Sequence, residues 1–495
     1  NVAVGSRVPC ALPGAKLPGD FVIKVAKVRG IESSGMLCSA KELGIAEEAS
    51  GLLVLPPDAP VGQSIRDYLD LDDQVFELKL TPNRADCQSL TGVAREVAAI
   101  AGAAVSFVDV PEVAASIADQ RAVVLDAPAA CPLYFGRVLK GVNAKAATPE
   151  WMKRRLERSG IRSISALVDV TNYVMLELGQ PLHAFDNTKL EGAVHARMAK
   201  PEEKLLLLNE QTINIDADIL VIADDAKPLA MAGIMGGEES GITLETSELF
   251  LESAFFAPKA IAGRARRYGF GSDASHRFER GVDPAFTLPG LDLATQMILD
   301  LCGGEASDLA EDGAPVDTSR AYRLDPARVI SLVGMDIPEA EQRLTLESLG
   351  FTLNGDMATP PSWRPDVLGE ADLVEEVARI ASLTQLQGKP LPRAVAGVPR
   401  PILTPLQVRE RSARRTIAAL GYNECVTYSF IDSAAATLFG GGTDTVKVDN
   451  PISSEMTHLR PDLLPGLLRA AARTITCSPW RLTSSRSSVL TGLSA

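Results

Sequence analysis

The sequence predicts a multidomain α+β protein, and three observations carry that expectation. Its 495 residues allow about three or four domains at roughly 100 to 200 residues each. Strand-length apolar runs and helical stretches are mixed through the middle third, and no internal repeat is found. Two connections, residues 303–319, rich in Gly, Ala, Asp and Pro, and residues 389–405, rich in Pro, separate the periodic segments.

Composition bounds the function. With 46% hydrophobic and 23% charged residues the chain can pack a core, which excludes wholesale disorder. No window approaches the roughly 18 consecutive apolar residues of a membrane span, and no basic start precedes an apolar run, so a soluble cytoplasmic protein without a membrane partner is expected. The 49 Lys+Arg against 63 Asp+Glu give a net charge of −14, which disfavours general polyanion binding and confines any nucleic-acid contact to local patches. The seven cysteines are odd in number and lack a Cys-x-x-Cys pair; they read as reduced, mostly buried groups.

In chain order, residues 21–29 alternate as a strand does, inside a start (residues 1–45) with six basic against three acidic residues. That excess is either a solvated strand face or a positive patch. A Pro- and Asp-rich connection over 56–73 leads to a helix over 89–102 that stops at Gly102. Strands follow at 123–125 and 134–139, then a basic helix over 149–160. Further strands are expected at 205–208, 219–222 and 249–251, with a Gly-rich turn over 232–237. Residues 320–390 read as helices and short strands, and residues 406–420 as an Arg-bearing helix. The last stretch, 473–495, has ten Ser or Thr among 23 residues, no Asp or Glu and no period; it is expected to be a disordered tail or a foreign reading frame.

Three clusters carry chemistry. Asp366 precedes a helix bearing Asp372, Glu375 and Glu376, whose spacing of three and four residues puts the latter three on one face at the helix start. Such carboxylates can ligate Mg²⁺; equally, Asp372 and Glu375 fit a capping box favoured by the helix dipole. In the second cluster, Thr171, Asn172 and His183 could surround a polar ligand, with His183 after a Pro-containing turn and Glu252 at a strand end. A His and a Glu facing one water could orient it for ester hydrolysis. The third, residues 259–280, sets six basic against two acidic residues with aromatics interleaved, as suits phosphate contact and base stacking or a salt-bridged surface. The glycines of 233–237 lack the Lys-Ser/Thr of a phosphate loop and suit a turn or a close backbone approach to a ligand.

Several motifs in one order resemble the β subunit of bacterial phenylalanyl-tRNA synthetase: Gly35-Met36-Leu37-Cys38-Ser39, Leu80-Thr81-Pro82-Asn83-Arg84-Ala85-Asp86, Val168-Asp169-Val170-Thr171-Asn172-Tyr173, Pro181-Leu182-His183-Ala184-Phe185-Asp186, Asp273-Ala274-Ser275-His276-Arg277, Ser362-Trp363-Arg364-Pro365-Asp366 and Asn450-Pro451-Ile452-Ser453-Ser454-Glu455. The resemblance runs from residue 1 to about 472. It implies a partial OB-type tRNA-binding barrel (1–66), a linker and helix (67–119), an editing domain of the B3/B4 type (120–305), a small helix-rich nucleic-acid-binding-like domain of the B5 type (319–394), the start of a catalytic-like α+β synthetase core domain (405–472) and a non-family tail (473–495). It further implies a chain that opens inside the first domain and leaves the family pattern at residue 473, as a fragment or frameshift would.

The resemblance also implies a partner and a division of labour. In the family an α₂β₂ heterotetramer joins phenylalanine to tRNA(Phe) with ATP; the α subunit holds the aminoacylation site, while β contacts tRNA and edits tyrosine mischarged onto it. Carried over by motif, the editing pocket comprises Thr171, Asn172, His183, Gly236, Glu252, Ser272 and Ala274. Glu252 is expected to read the tyrosine hydroxyl and His183 to orient water. The Mg²⁺ site shared with the α subunit maps to Asp366, Asp372, Glu375 and Glu376. Two rival classes remain open: a non-catalytic tRNA-binding or scaffold protein using the same basic patches, and a metal hydrolase built on the four carboxylates.

Overall fold

The computed structural model describes residues 2–46, 51–110, 112–392 and 402–477. The architecture is mixed α+β with several separate sheets. Contacts divide the chain into two compact units, Asn1–Gln387 and Gly388–Ala495.

The first unit begins with three two-stranded pairs, Cys10–Ala11 with Met36–Leu37, Lys16–Leu17 with Phe21–Val22, and Ala26–Val28 with Ile31–Ser33. The single strand expected over 21–29 is therefore broken. Ile23 turns its side chain into a small cluster with Ala11 and Cys38, and the chain changes partner there. No closed barrel forms among the described residues. The expected helix at 89–102 spans Leu90–Ala101; Ser89 caps it by accepting from Gly92 N, and Gly102 closes it at φ 61° in the left-handed region that glycine tolerates.

The body of this unit is built on two five-stranded sheets. In one, Leu133–Lys140 pairs antiparallel with Glu248–Phe255, which pairs antiparallel with Leu182–Asp186; Glu305–Ala306 and Ala310–Gly313 complete the other edge. Its side chains alternate between two cores, as the period of two requires. Tyr134, Val138, Phe185, Phe250 and Ala254 face one core, shared with the second sheet through Val194, Ala196, Val221 and Ile222. Leu139, Leu249 and Leu251 face the other, where the helices Glu150–Arg158, Ala166–Leu178 and Thr287–Cys302 contribute Leu156, Val170, Val174 and Ile298. Full burial of Phe185 and of Phe250 stabilises this packing by about 2–3 kcal/mol each. Gly136 lets the Phe250 ring lie against the strand, because a Cβ there would sit 2.1 Å from the ring.

The strand Leu182–Asp186 was not expected; the sequence marked only a Pro-containing turn before His183. Pro181, at its entry, removes no ladder donor from the strand that follows. Residues 322–380 form a smaller body of helices Pro326–Val333, Glu339–Ser348 and Glu370–Ile380 with a three-stranded sheet, around Val329, Leu346, Phe351, Leu373, Val374 and Val377.

In the second unit, the Arg-bearing helix spans Pro405–Ala419 behind a Thr404/Gln407 capping box. Helix Leu464–Cys477 crosses residue 473, where the tail was expected to begin; residues 478–495 lie outside the described residues. Among the described residues six cysteines are free thiols, and no helix is long and apolar enough to cross a membrane.

Candidate functional site

The strand register places Glu252 directly opposite His183 on one side and Gly136 on the other. Partners in an antiparallel pair share a face, so two residues 69 positions apart become neighbours in the layer between the sheets. Glu252 is 6% exposed and accepts a 2.6 Å hydrogen bond from the Tyr134 hydroxyl. Burial pushes its carboxyl up to about 7, against the lowering effect of that hydrogen bond. No ion pair reaches Glu252 among the described residues.

His183 packs edge-to-face on Phe185, with ring centroids 4.4 Å apart. Burial lowers its pKa to about 4, so the imidazole is neutral at pH 7. Its Nε2 is buried and has no hydrogen-bond partner. An orphaned buried nitrogen costs free energy unless a water or ligand meets it. Gly236 explains how the ring fits: a Cβ there would lie 2.3 Å from His183 Cε1 and 2.6 Å from Nε2. The glycine-rich turn thus makes a close approach, to the histidine itself.

Ser272 caps the helix Asp273–Phe278 in a capping box with Ser275, and its hydroxyl donates to the Ile234 carbonyl at 2.5 Å. That bond ties the helix to the turn carrying Gly236. Ala274, on the helix, packs against the same core. Thr171 and Asn172 lie half-buried on the helix Ala166–Leu178, where the Thr171 hydroxyl donates to Val168 of its own helix. The structure therefore joins His183, Glu252 and Gly236 directly and Ser272 through the turn. Tyr134, which sequence reasoning missed, is a further member of the cluster. A neutral histidine beside a carboxyl that titrates near neutrality can hold a water and a hydroxyl-bearing group.

The four carboxylates at 366–376 do not converge. Arg364 donates to both oxygens of Asp366 at 2.9 and 2.8 Å and to Glu376 at 2.5 Å. Arg379 binds Glu376 at 2.7 Å and Glu96 at 2.5 Å, and Arg84 joins Glu96 to Asp86. Glu376 is 1% exposed; burial raises its carboxyl, but the bonds from Arg379 and Arg364 outweigh that and hold it at about 2. Glu375 points outward and is exposed. The expected common face is thereby corrected: adjacent residues 375 and 376 diverge by about 100° around the helix. The expected capping box is corrected as well, since Gly369 is the N-cap and Asp372 accepts from Leu368 N at 2.8 Å. Among the described residues the one trio spaced for a metal is Asp86, Cys87 and Glu96, and Arg84 fills it. Within this chain the four carboxylates do not fit a Mg²⁺ cradle.

In the basic cluster, Arg264 and Arg267 pair with Asp218 and Asp216 on the surface, and buried Arg277 donates to the Gln88 carbonyl. Arg266, Phe270, Ser272, His276 and Arg280 instead line an open groove. Elsewhere, Arg137 is buried against Asp292 at 2.7 Å and Arg158 pairs with Asp73 at 2.6 Å, so those basic residues are neutralised locally.

Comparison with known proteins follows the same division. The B3/4 domain model matches residues 130–303, the tRNA synthetase B5 domain model residues 322–382, and the Phenylalanyl tRNA synthetase beta chain CLM domain model residues 391–479. The phenylalanine-tRNA ligase beta subunit of Dechloromonas aromatica is 65% identical over 482 residues, covering 94% of this chain and 59% of that one. That of Cereibacter sphaeroides is 58% identical over 464 residues, covering 93% of this chain and 58% of that one. A crystal structure of an N-terminal fragment of the phenylalanyl-tRNA synthetase beta subunit from Pyrococcus horikoshii is 16% identical and covers 64% of this chain and 94% of that fragment. Its TM-score of 0.31 is too low to carry a fold argument. The chain belongs to the phenylalanyl-tRNA synthetase beta-subunit family, and it spans less than two thirds of the length of these relatives.

Proposed function

We propose that this chain is the tRNA-contacting and editing part of a phenylalanyl-tRNA synthetase β subunit, acting in the cytoplasm with an α subunit in an α₂β₂ assembly. Residues 120–305 are the editing domain, which hydrolyses tyrosine mischarged onto tRNA(Phe). Residues 1–66, 319–394 and 405–472 are the OB-type, B5-type and catalytic-like parts. The observation that carries the reading is the His183–Glu252 pairing across the sheet, with a buried unpartnered nitrogen on one and a cation-free carboxyl on the other.

Chemically, the neutral imidazole accepts a hydrogen bond from a water at Nε2 and holds it for attack on the ester carbonyl carbon. At a pKa of about 4 it is too weak a base to take the proton fully, so its contribution is orientation. The acyl–oxygen bond breaks, one proton of the water passes to the departing ribose oxygen, and tyrosine leaves as its carboxylate with the other proton released to solvent. Glu252 reads the phenol hydroxyl; a built partner for that group is required, since an apolar pocket discriminates one hydroxyl only about 10²-fold. Thr171, Asn172, Ser272 and Ala274 complete the pocket walls.

ATP and Mg²⁺ serve the phenylalanylation borne by the α subunit. A Mg²⁺ on Asp366, Asp372, Glu375 and Glu376 requires Arg364 to give up two of the four. Deacylation of Tyr-tRNA(Phe) and Phe-tRNA(Phe) by the full chain tests the proposal: selective hydrolysis of the tyrosyl ester supports it, and retention of tRNA without ester cleavage favours the scaffold reading.

A further inference from the structure

We infer that Tyr134 is a positioning and specificity-determining residue of this site: its hydroxyl holds one oxygen of Glu252 and favours the carboxylate over the acid, leaving the second oxygen to accept from the substrate phenol. This rests on the proposed reading of Glu252.

The geometry carries it. Tyr134 stands on Leu133–Lys140, two residues before Gly136, which faces Glu252. That makes Tyr134 the diagonal cross-strand neighbour of Glu252, a span an aromatic side chain can bridge. The tyrosine hydroxyl reaches the carboxyl along that diagonal, and the Oη–Oε2 distance is 2.6 Å. Tyr134 is fully buried, and both burial and the neighbouring Glu252 raise its phenol well above the ordinary value. It therefore remains a donor throughout the physiological range.

The titratable groups facing Glu252 are Tyr134 and Cys131 on one side and His183 on the other. Cys131 is a buried thiol pushed up by burial, and His183 is neutral at pH 7, so neither opposes burial by lending Glu252 a positive charge. Tyr134 alone supplies a hydrogen bond that favours the ionised form. A carboxylate accepts the phenol proton, whereas a carboxylic acid offers a competing donor. Loss of the Tyr134 hydroxyl therefore shifts Glu252 toward the acid and weakens recognition below neutrality.

The test is the pH profile of Tyr-tRNA(Phe) deacylation by the full chain between pH 6 and 8, for the parent, Tyr134→Phe and Glu252→Ala. Tyr134→Phe is expected to move the acid limb upward by about one unit, lowering kcat/KM about 10-fold at pH 6.5 while recovering toward the parent at pH 8. A merely structural defect lowers the rate by the same factor at every pH and overturns the inference. So does a parental profile in Tyr134→Phe alongside an inactive Glu252→Ala, which leaves the editing reading standing. Full activity in Glu252→Ala sinks the editing reading itself. Should Tyr134→Phe not fold, a fluorinated tyrosine at position 134 keeps the shape and strengthens the donor. It is expected to move the limb down, and an unmoved limb contradicts the role.

Discussion

Glu252 and Glu376 are the same side chain, both buried, and their environments drive them in opposite directions. Glu252 lies in an apolar layer with one neutral donor, Tyr134, and titrates near 7. Glu376 lies between two guanidinium groups and stays ionised down to about 2. Burial is common to both; the difference is the charge of the hydrogen-bond donor. A carboxylate locked between arginines has no protonation change near neutrality left for chemistry, and its use is to join the helix Leu90–Ala101 to the 322–380 body through Glu96 and Arg379. A buried carboxyl without a cation is costly to the fold and available to a ligand.

The contrast breaks most visibly at Glu376. Glu376→Ala leaves Arg364 and Arg379 without their shared partner and is expected to destabilise the fold by about 3–5 kcal/mol, read as a lowered urea midpoint. Chelator should leave the parent's midpoint unchanged; a parent midpoint that EDTA lowers to that of the variant would show that a metal, not Arg364, holds the carboxylates.

Glu252→Gln is expected to act in the opposite sense. The folded pKa of about 7 lies above the ordinary 4.5, so the protonated form's stabilisation is present below 4.5 and lost as pH rises through 7. The Gln variant should match the parent near pH 4.5 and exceed it by up to about 3 kcal/mol at pH 8. His183 has the opposite slope in nearly the same window: its folded pKa of about 4 lies below 6.5, so its contribution is present above 6.5 and lost as pH falls through 4. In the parent the two slopes largely cancel. Urea midpoints across pH 4 to 8 should therefore rise with pH in Glu252→Gln and fall with pH in His183→Gln, and flat curves in both would refute the assigned burial.

Gly236→Ala sharpens the comparison on the Glu252 side alone. Its Cβ would meet the His183 ring at 2.3 Å and displace it, costing about 1–3 kcal/mol and roughly 10²-fold in deacylation. Equal deacylation rates for Gly236→Ala and the parent would remove His183 from the site.

Much of the fold was legible from local signals. Ser89 and Gly102 mark the ends of one helix, and the apolar runs around 134–139 and 249–251 mark the two central strands. The pairing of those strands with Leu182–Asp186 was not legible, because register is a long-range property and Glu252 meets His183 only through it. Residue type alone suggested His183, Glu252, Thr171 and Asn172 as a cluster, and the resemblance to a known family added Gly236, Ser272 and Ala274; neither showed the proximity. Arg364 stood in view, two residues before Asp366, and Arg379 stands three after Glu376. Counting acids as ligands without counting the arginines at ion-pair spacing is what concealed the network. Tyr134 left a fainter signal: parity along the strand places it on the face of Gly136, yet only the register shows that Glu252 lies opposite.

The central claim is that the Glu252 side of this contrast is the reactive one. Its most direct test is single-turnover hydrolysis of Tyr-tRNA(Phe) by the full chain and by a variant carrying both Glu252→Ala and His183→Ala. Hydrolysis by the parent that the double variant loses, with its tRNA affinity intact, is the predicted result. Full deacylation retained in the double variant would contradict the account.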